Sequence, residues 1–137
     1  MLIDGCILHR KQYMAIYYVS YLLLVPLIYA IYMGQYVIGL GGLVVLATSL
    51  DYWKKPDYSY RRYIDIVMVV IAISIQTYIC QKSVYFREYL YMMVFGIVIF
   101  IIGTQHYKNC QLWHSTYSHI IFHLIANISN IVLYSGM

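Results

Sequence analysis

Residues 13–33 read YMAIYYVSYLLLVPLIYAIYM, an apolar run without a charged side chain. A helix needs about 20 mostly apolar residues to cross the hydrocarbon part of a bilayer, and this run reaches that length. The apolar residues are continuous and do not alternate with polar ones, which favours a helix over a half-buried strand. A helix also satisfies its own backbone polar groups in lipid. The run therefore predicts a transmembrane helix, with a kink at Pro26.

Four more apolar runs follow this one, separated by short polar loops. We predict five spans, over residues 13–33, 35–50, 62–80, 86–103 and 117–135. Of the 137 residues, 63% are hydrophobic and only 10% are charged, and the mean hydropathy is +0.69. A water-soluble domain carries about 25% charged residues. The composition thus predicts an all-α, polytopic transmembrane helix bundle that forms a single domain over residues 1–137.

The basic residues are distributed unequally between the two ends of the predicted bundle. With five spans, the side that holds the N-terminus receives seven of the nine Lys and Arg residues, and the other side receives only Lys82 and Arg87. Because loops rich in Lys and Arg stay on the cytosolic side, we expect a cytosolic N-terminus and a C-terminus that lies outside or in a lumen. The net charge of +4 contains no long basic run, so no nucleic-acid partner is expected. The sequence does not indicate which membrane holds the chain.

The fifth predicted span carries a polar stripe. Each polar residue of the stripe follows the previous one by three or four positions, which places all of them on one helical face. The members are His119, His123, Asn127, Asn130 and Tyr134. Ionisable side chains are costly in a bilayer and generally face the interior of a helix bundle. The stripe is therefore expected to face the other helices.

Two polar residues on other spans belong to the same end of the bundle. Ser49 lies at the end of the second span and Asp65 just inside the start of the third. Counting spans places both at the predicted cytosolic boundary, which is also the His119 end of the fifth span. Three helices therefore bring a serine, an aspartate and two histidines to one leaflet, which predicts a shared polar site.

These residue types allow hydrolytic chemistry. Two histidines four residues apart on a helix can bind one zinc ion, and a catalytic zinc keeps an open position for water. The metal lowers the pKa of that water toward about 7. Asp65 would orient or deprotonate the water, and Ser49 would hold a substrate carbonyl or the water. Alternatively, the same side chains only form hydrogen bonds between helices, which contribute about 0.6 kcal/mol each on average.

The segment SHIIFHLIANISNIVLYSG, residues 118–136, resembles the last helix of the progestin and adipoQ receptor family. In that family a Ser-His-x-x-Phe-His motif supplies two zinc ligands, and alkaline ceramidases carry a similar HxxxH. Both belong to a superfamily of seven-helix, membrane-embedded, metal-dependent hydrolases. The superfamily has a serine late in its second helix and an aspartate early in its third, which Ser49 and Asp65 match. The resemblance implies a zinc cofactor bound by His119 and His123.

The chain departs from this family in two respects. It has five predicted spans instead of seven, and Trp53 stands four residues after Ser49, where the family has its third zinc-binding histidine. His114, five residues before His119, is the best candidate for a replacement ligand, and Asp65 is a second. His106 lies in the same predicted loop but further from the pair.

Three hypotheses follow for the function. The first is a zinc-dependent hydrolase that cleaves the amide bond of a lipid such as ceramide, a substrate class that comes from the resemblance alone. The second is a non-catalytic, lipid-binding or receptor-like scaffold, and the third is a proton or ion pathway. A pocket closed at one end and open sideways to lipid favours the first, a dry interior the second, and a cavity open to both faces the third. Membrane lipids are the expected partners, and five short helices are compatible with a homo-oligomer.

Overall fold

The computed structural model describes residues 6–137, which are mainly helical and contain no strand. The helices, in chain order, are α1 (Arg10–Ser20), α2 (Leu24–Tyr32), α3 (Tyr36–Trp53), α4 (Tyr60–Ile79), α5 (Phe86–Lys108) and α6 (Leu112–Ser135). A 3₁₀ turn joins α1 to α2, so these two form one span, and five helical segments are long and apolar enough to cross a membrane. The predicted all-α bundle of about five spans is confirmed. Residues 1–5, which the predicted domain includes, lie outside the described part of the chain.

The first span is interrupted close to its proline. The 3₁₀ turn at Tyr21–Leu23 lies immediately before α2, in which Pro26 is the third residue. Proline has no amide hydrogen, so Pro26 cannot donate to the carbonyl of Leu22 as a residue in a regular α-helix would. The missing bond falls within the 3₁₀ turn, which accounts for the position of the interruption.

Several helices extend beyond the apolar runs that predicted them. The helix α3 continues to Trp53, α5 continues to Lys108, and α6 begins at Leu112. These extra turns contain polar residues, since a helix keeps its internal hydrogen bonds where it leaves the hydrocarbon region and meets water. The apolar runs therefore marked the membrane-embedded part of each helix and not its full length.

Glycines bring α5 and α6 together. A Cβ atom added to Gly103 would lie 2.8 Å from the Cβ of Ser118, and one added to Gly96 would lie 3.3 Å from a methyl carbon of Ile125. Without a driving force from water, helices in lipid associate best where small residues allow the backbones to approach. The pair α5–α6 therefore forms one closely packed unit of the bundle.

The helix α4 has a different environment. It packs along α3, but its backbone does not pack along α5 or α6. Side chains connect it to these helices near one end: the Gln76 Nε2 donates to Asn130 Oδ1 at 2.8 Å and to the Tyr89 hydroxyl at 3.2 Å, and the Tyr134 hydroxyl donates to Gln76 Oε1. The result is a gap between α4 and the α5–α6 pair that is bridged at the end of the bundle where α4 terminates.

Candidate functional site

Ser49 and Asp65 meet at the end of the bundle where α3 ends and α4 begins, which we call the Ser49 end. Both side chains are buried, and the Ser49 Oγ donates to Asp65 Oδ1 at 2.6 Å. The connecting loop is held by Arg61, whose guanidinium donates to the backbone carbonyls of Asp51 and Lys55, each at 2.6 Å. These bonds return the chain beside α3, so the start of α4 faces the end of α3.

The two histidines of α6 lie beside each other at the same end. The ring centroids of His119 and His123 are 4.9 Å apart, as expected for residues one helical turn apart. The Phe100 ring lies 6.0 Å from His119, and the Trp53 ring lies at 4.8 Å. Trp53 is itself buried. Its indole therefore occupies the space against His119 that a ligand from the end of α3 would use.

A cavity of about 400 Å³ connects these groups. Ser49, Asp65, His119 and His123 all line it, and most of its remaining wall is apolar. Val70 of α4 and Ile97 of α5 also line the cavity, and they are 57% and 48% exposed. Because α4 does not pack along α5 and these wall residues are accessible, the cavity opens sideways between the two helices, toward the lipid of a membrane.

The cavity wall includes residues that sequence analysis did not single out. Arg62 and Tyr58 both line it, and the Arg62 guanidinium lies over the Tyr58 ring at 5.3 Å from the centroid. Arg62 precedes Asp65 by three residues, a spacing that places both on one face of α4. That spacing was the available signal for Arg62. Nothing in the sequence pointed to Tyr58, because loop residues have no periodicity.

His114 is not brought to the histidine pair. It is exposed, its ring centroid is 5.3 Å from that of His106, and it does not line the cavity. The physical reason is the early start of α6 at Leu112, which makes His114 part of the helix. Five helical residues turn the chain through about 500°, so His114 lies roughly 140° around the helix from His119. As a free loop residue it would have been able to fold back; as a helical residue it cannot.

The histidine pair supplies fewer ligands than a catalytic zinc site takes. Such a site takes three protein ligands and one water. Residues 6–137 contain no group of three or more His, Cys, Asp or Glu side chains close enough to hold one metal ion. Asp65, the second candidate for a third ligand, accepts a hydrogen bond from Ser49 at its Oδ1 and does not form such a group with the histidines. Two imidazoles are therefore the nitrogen ligands that this arrangement offers.

The fold defines a polytopic α-helical membrane protein, and a cavity lies among its helices. No protein-family model, curated protein or solved structure matches the chain. The resemblance to the progestin and adipoQ receptor family and the alkaline ceramidases stays a prediction drawn from three short stretches of sequence.

The hydrogen bond between Ser49 and Asp65 should make a measurable contribution to stability. We expect Ser49→Ala to lower the free energy of unfolding by about 1–2 kcal/mol, because it leaves the buried Asp65 without its hydroxyl donor. Unfolding in mixed micelles of increasing denaturing-detergent content measures this. Thr48→Ala is the control, since the Thr48 hydroxyl donates only to the carbonyls of Val44 and Val45 in its own helix. Equal losses in the free energy of unfolding of the two variants would contradict a stabilising hydrogen bond between Ser49 on α3 and Asp65 on α4.

Proposed function

We propose that this chain binds an amphipathic lipid in the lateral cavity, with the polar group of the lipid facing Ser49, Asp65 and the two histidines. The observation that carries the proposal is the cavity of about 400 Å³, with apolar walls and a few convergent polar groups at one end. Binding sites for small molecules have volumes of about 300–1,000 Å³ and the same division between apolar walls and polar anchors. Its side opening gives a lipid a route that avoids water.

We also propose that the Ser49 end faces the cytosol, so that the lipid comes from the cytosolic leaflet. The Lys and Arg bias between the loops supports this orientation. The bridge between Gln76 and its partners on α5 and α6 lies toward the opposite face. It favours a pocket closed at one end over a continuous proton or ion pathway, which would need openings at both faces.

The fluorescence of Trp53 can report on the lipid directly. The chain has two tryptophans, and a Trp113→Phe background leaves Trp53, which lines the cavity, as the only one. Dibrominated stearamide added to this protein in bromine-free detergent micelles should quench Trp53 in a saturable way, because bromine quenches indole only at close range. Quenching that rises linearly without saturation would mean that the amide merely partitions into the micelle, and would contradict the proposal.

A pair of substitutions on α4 makes the same experiment specific for the cavity. Val69 lines the cavity, whereas Val67 is exposed on the outer face of the helix and does not. We expect Val69→Phe to weaken the binding of dibrominated stearamide by about tenfold, since the added ring occupies part of the cavity. Val67→Phe adds the same ring outside and should leave binding unchanged. Equal effects of the two variants would place the amide elsewhere on the protein.

Hydrolysis of a lipid amide is a second candidate function. The hydrogen-bonded Ser49 and Asp65 share one cavity with two histidines, and these are residue types that transfer protons in enzymes. The resemblance adds zinc and a ceramide-like substrate to this candidate. Its test is the zinc content of detergent-purified protein, measured by elemental mass spectrometry together with fatty acid release from ceramide. About one zinc per chain and fatty acid release, both lost in a His119→Ala/His123→Ala variant, would support the hydrolase. Their absence from the unmodified protein would contradict it and leave lipid binding intact.

A further inference from the structure

A second, smaller cavity of about 130 Å³ adjoins the first. The two cavities share wall residues, among them Ser49, Phe122 and His123. The smaller cavity extends from these residues toward Gln76 and Tyr134, which also line it. A chain that enters the larger cavity from the side therefore has room to continue away from the Ser49 end.

A buried polar group in the smaller cavity forms no hydrogen bond with the part of the chain that the structure describes. Asn127 lines the cavity and is only 8% exposed, and its Nδ2 forms no hydrogen bond within residues 6–137. The next members of the stripe differ, since both Asn130 and Tyr134 bond to Gln76. Buried amide groups in folded proteins are nearly always hydrogen-bonded, because an unpaired donor retains its full desolvation cost. The Nδ2 atom itself is closed off from water, but the Asn127 side chain lines the cavity, so a rotation of this side chain would let the amide donate to a group that occupies the cavity.

We infer that the smaller cavity is a hydrogen-bonding subsite for a hydroxyl or carbonyl oxygen carried on the chain of the bound lipid, with Asn127 as the donor. The inference rests on the proposed lipid binding and adds a chemical class to it. Asn127 follows His123 by four residues, which is about 6 Å along the helix. The preferred lipid thus has a polar head beside the histidines and a second oxygen several bonds further along its chain.

Two competitors of equal length test the inference. In the Trp113→Phe background, stearamide and a stearamide with a hydroxyl on its fifth carbon are each added to compete with dibrominated stearamide. The recovery of Trp53 fluorescence measures how much of the brominated amide each one displaces. The hydroxylated amide should bind about tenfold more tightly, because its hydroxyl oxygen accepts a hydrogen bond from a donor that otherwise lacks one. This comparison uses the unmodified cavity and needs no variant that might affect folding.

Asn127→Leu then locates the preference. Leucine has nearly the same volume without the donor, so the ratio of the affinities for the hydroxylated and the plain amide should fall from about tenfold to about one. Equal binding of the two amides to the unmodified cavity, or a preference that survives Asn127→Leu, would overturn the subsite and leave the proposed lipid binding in place. If neither amide binds, both proposals fall.

Discussion

Replacing Trp53 with histidine is expected to give this chain a zinc site. The Trp53 ring lies against His119, with 4.8 Å between ring centroids, and His123 follows one turn further along α6. An imidazole at position 53 would therefore complete a set of three histidines, which is the protein ligand set of one class of catalytic zinc site. Structural zinc sites with four ligands contribute about 10–16 kcal/mol, or about 3 kcal/mol per ligand. We expect the affinity for zinc to rise by a factor on the order of 100.

Zinc content by elemental mass spectrometry and competition with a coloured chelator measure this gain on detergent-purified protein. Trp113→His is the matched control, because Trp113 is exposed near the start of α6 and does not line the cavity. The control should gain no zinc, and adding His123→Ala to Trp53→His should remove most of what was gained. A Trp53→His variant that binds no more zinc than its control would show that the end of α3 does not face His119.

The number of helices and the end at which the polar residues gather were predictable from the sequence. The thickness of a bilayer fixes the length of a span, so apolar runs can be counted with little knowledge of packing. That count alone placed Ser49, Asp65 and His119 at one end, and the structure brings them to one cavity. Their roles in binding or catalysis stay predictions.

The shape of the cavity was not predictable, because lipid and protein neighbours are equally apolar. The residue type at a position such as Val70 does not indicate whether the side chain faces another helix, lipid or an opening. In water, hydrophobicity reports which face of a helix is buried, but helices in lipid associate through close packing and polar contacts. The gap beside α4 and the close approach at Gly103 therefore became visible only in three dimensions.

The position of His114 shows how a helix boundary can decide a site. Apolar residues alone placed the start of the last span at residue 117, which left His114 in a loop. The helix begins at Leu112, where polar residues are solvated at the membrane surface, and its geometry directs His114 away from His119. An error of little more than one turn thus changed the expected ligand set from three histidines to two.

The Gln76→Leu substitution should loosen the end of the bundle opposite Ser49. Gln76 is buried and exchanges hydrogen bonds with three side chains, Tyr89 on α5 and Asn130 and Tyr134 on α6. Hydrogen bonds between membrane helices contribute about 0.6 kcal/mol each on average. Losing three of them should lower the free energy of unfolding by about 2 kcal/mol. Leucine is similar in size, so the loss reports on hydrogen bonding and not on a new void.

Unfolding in mixed micelles again measures the change, and Ser74→Ala is the control on the same helix. The Ser74 hydroxyl donates only to the carbonyl of Val70 within α4, so its removal should cost far less. Because α4 does not pack along α5 or α6, the Gln76 contacts limit how far the side opening can widen. Gln76→Leu should therefore also speed the entry and release of dibrominated stearamide, as followed by the rate of Trp53 quenching. A variant that loses no stability relative to Ser74→Ala would mean that these hydrogen bonds do not hold α4 in place, and the cavity would then need another wall to keep its shape.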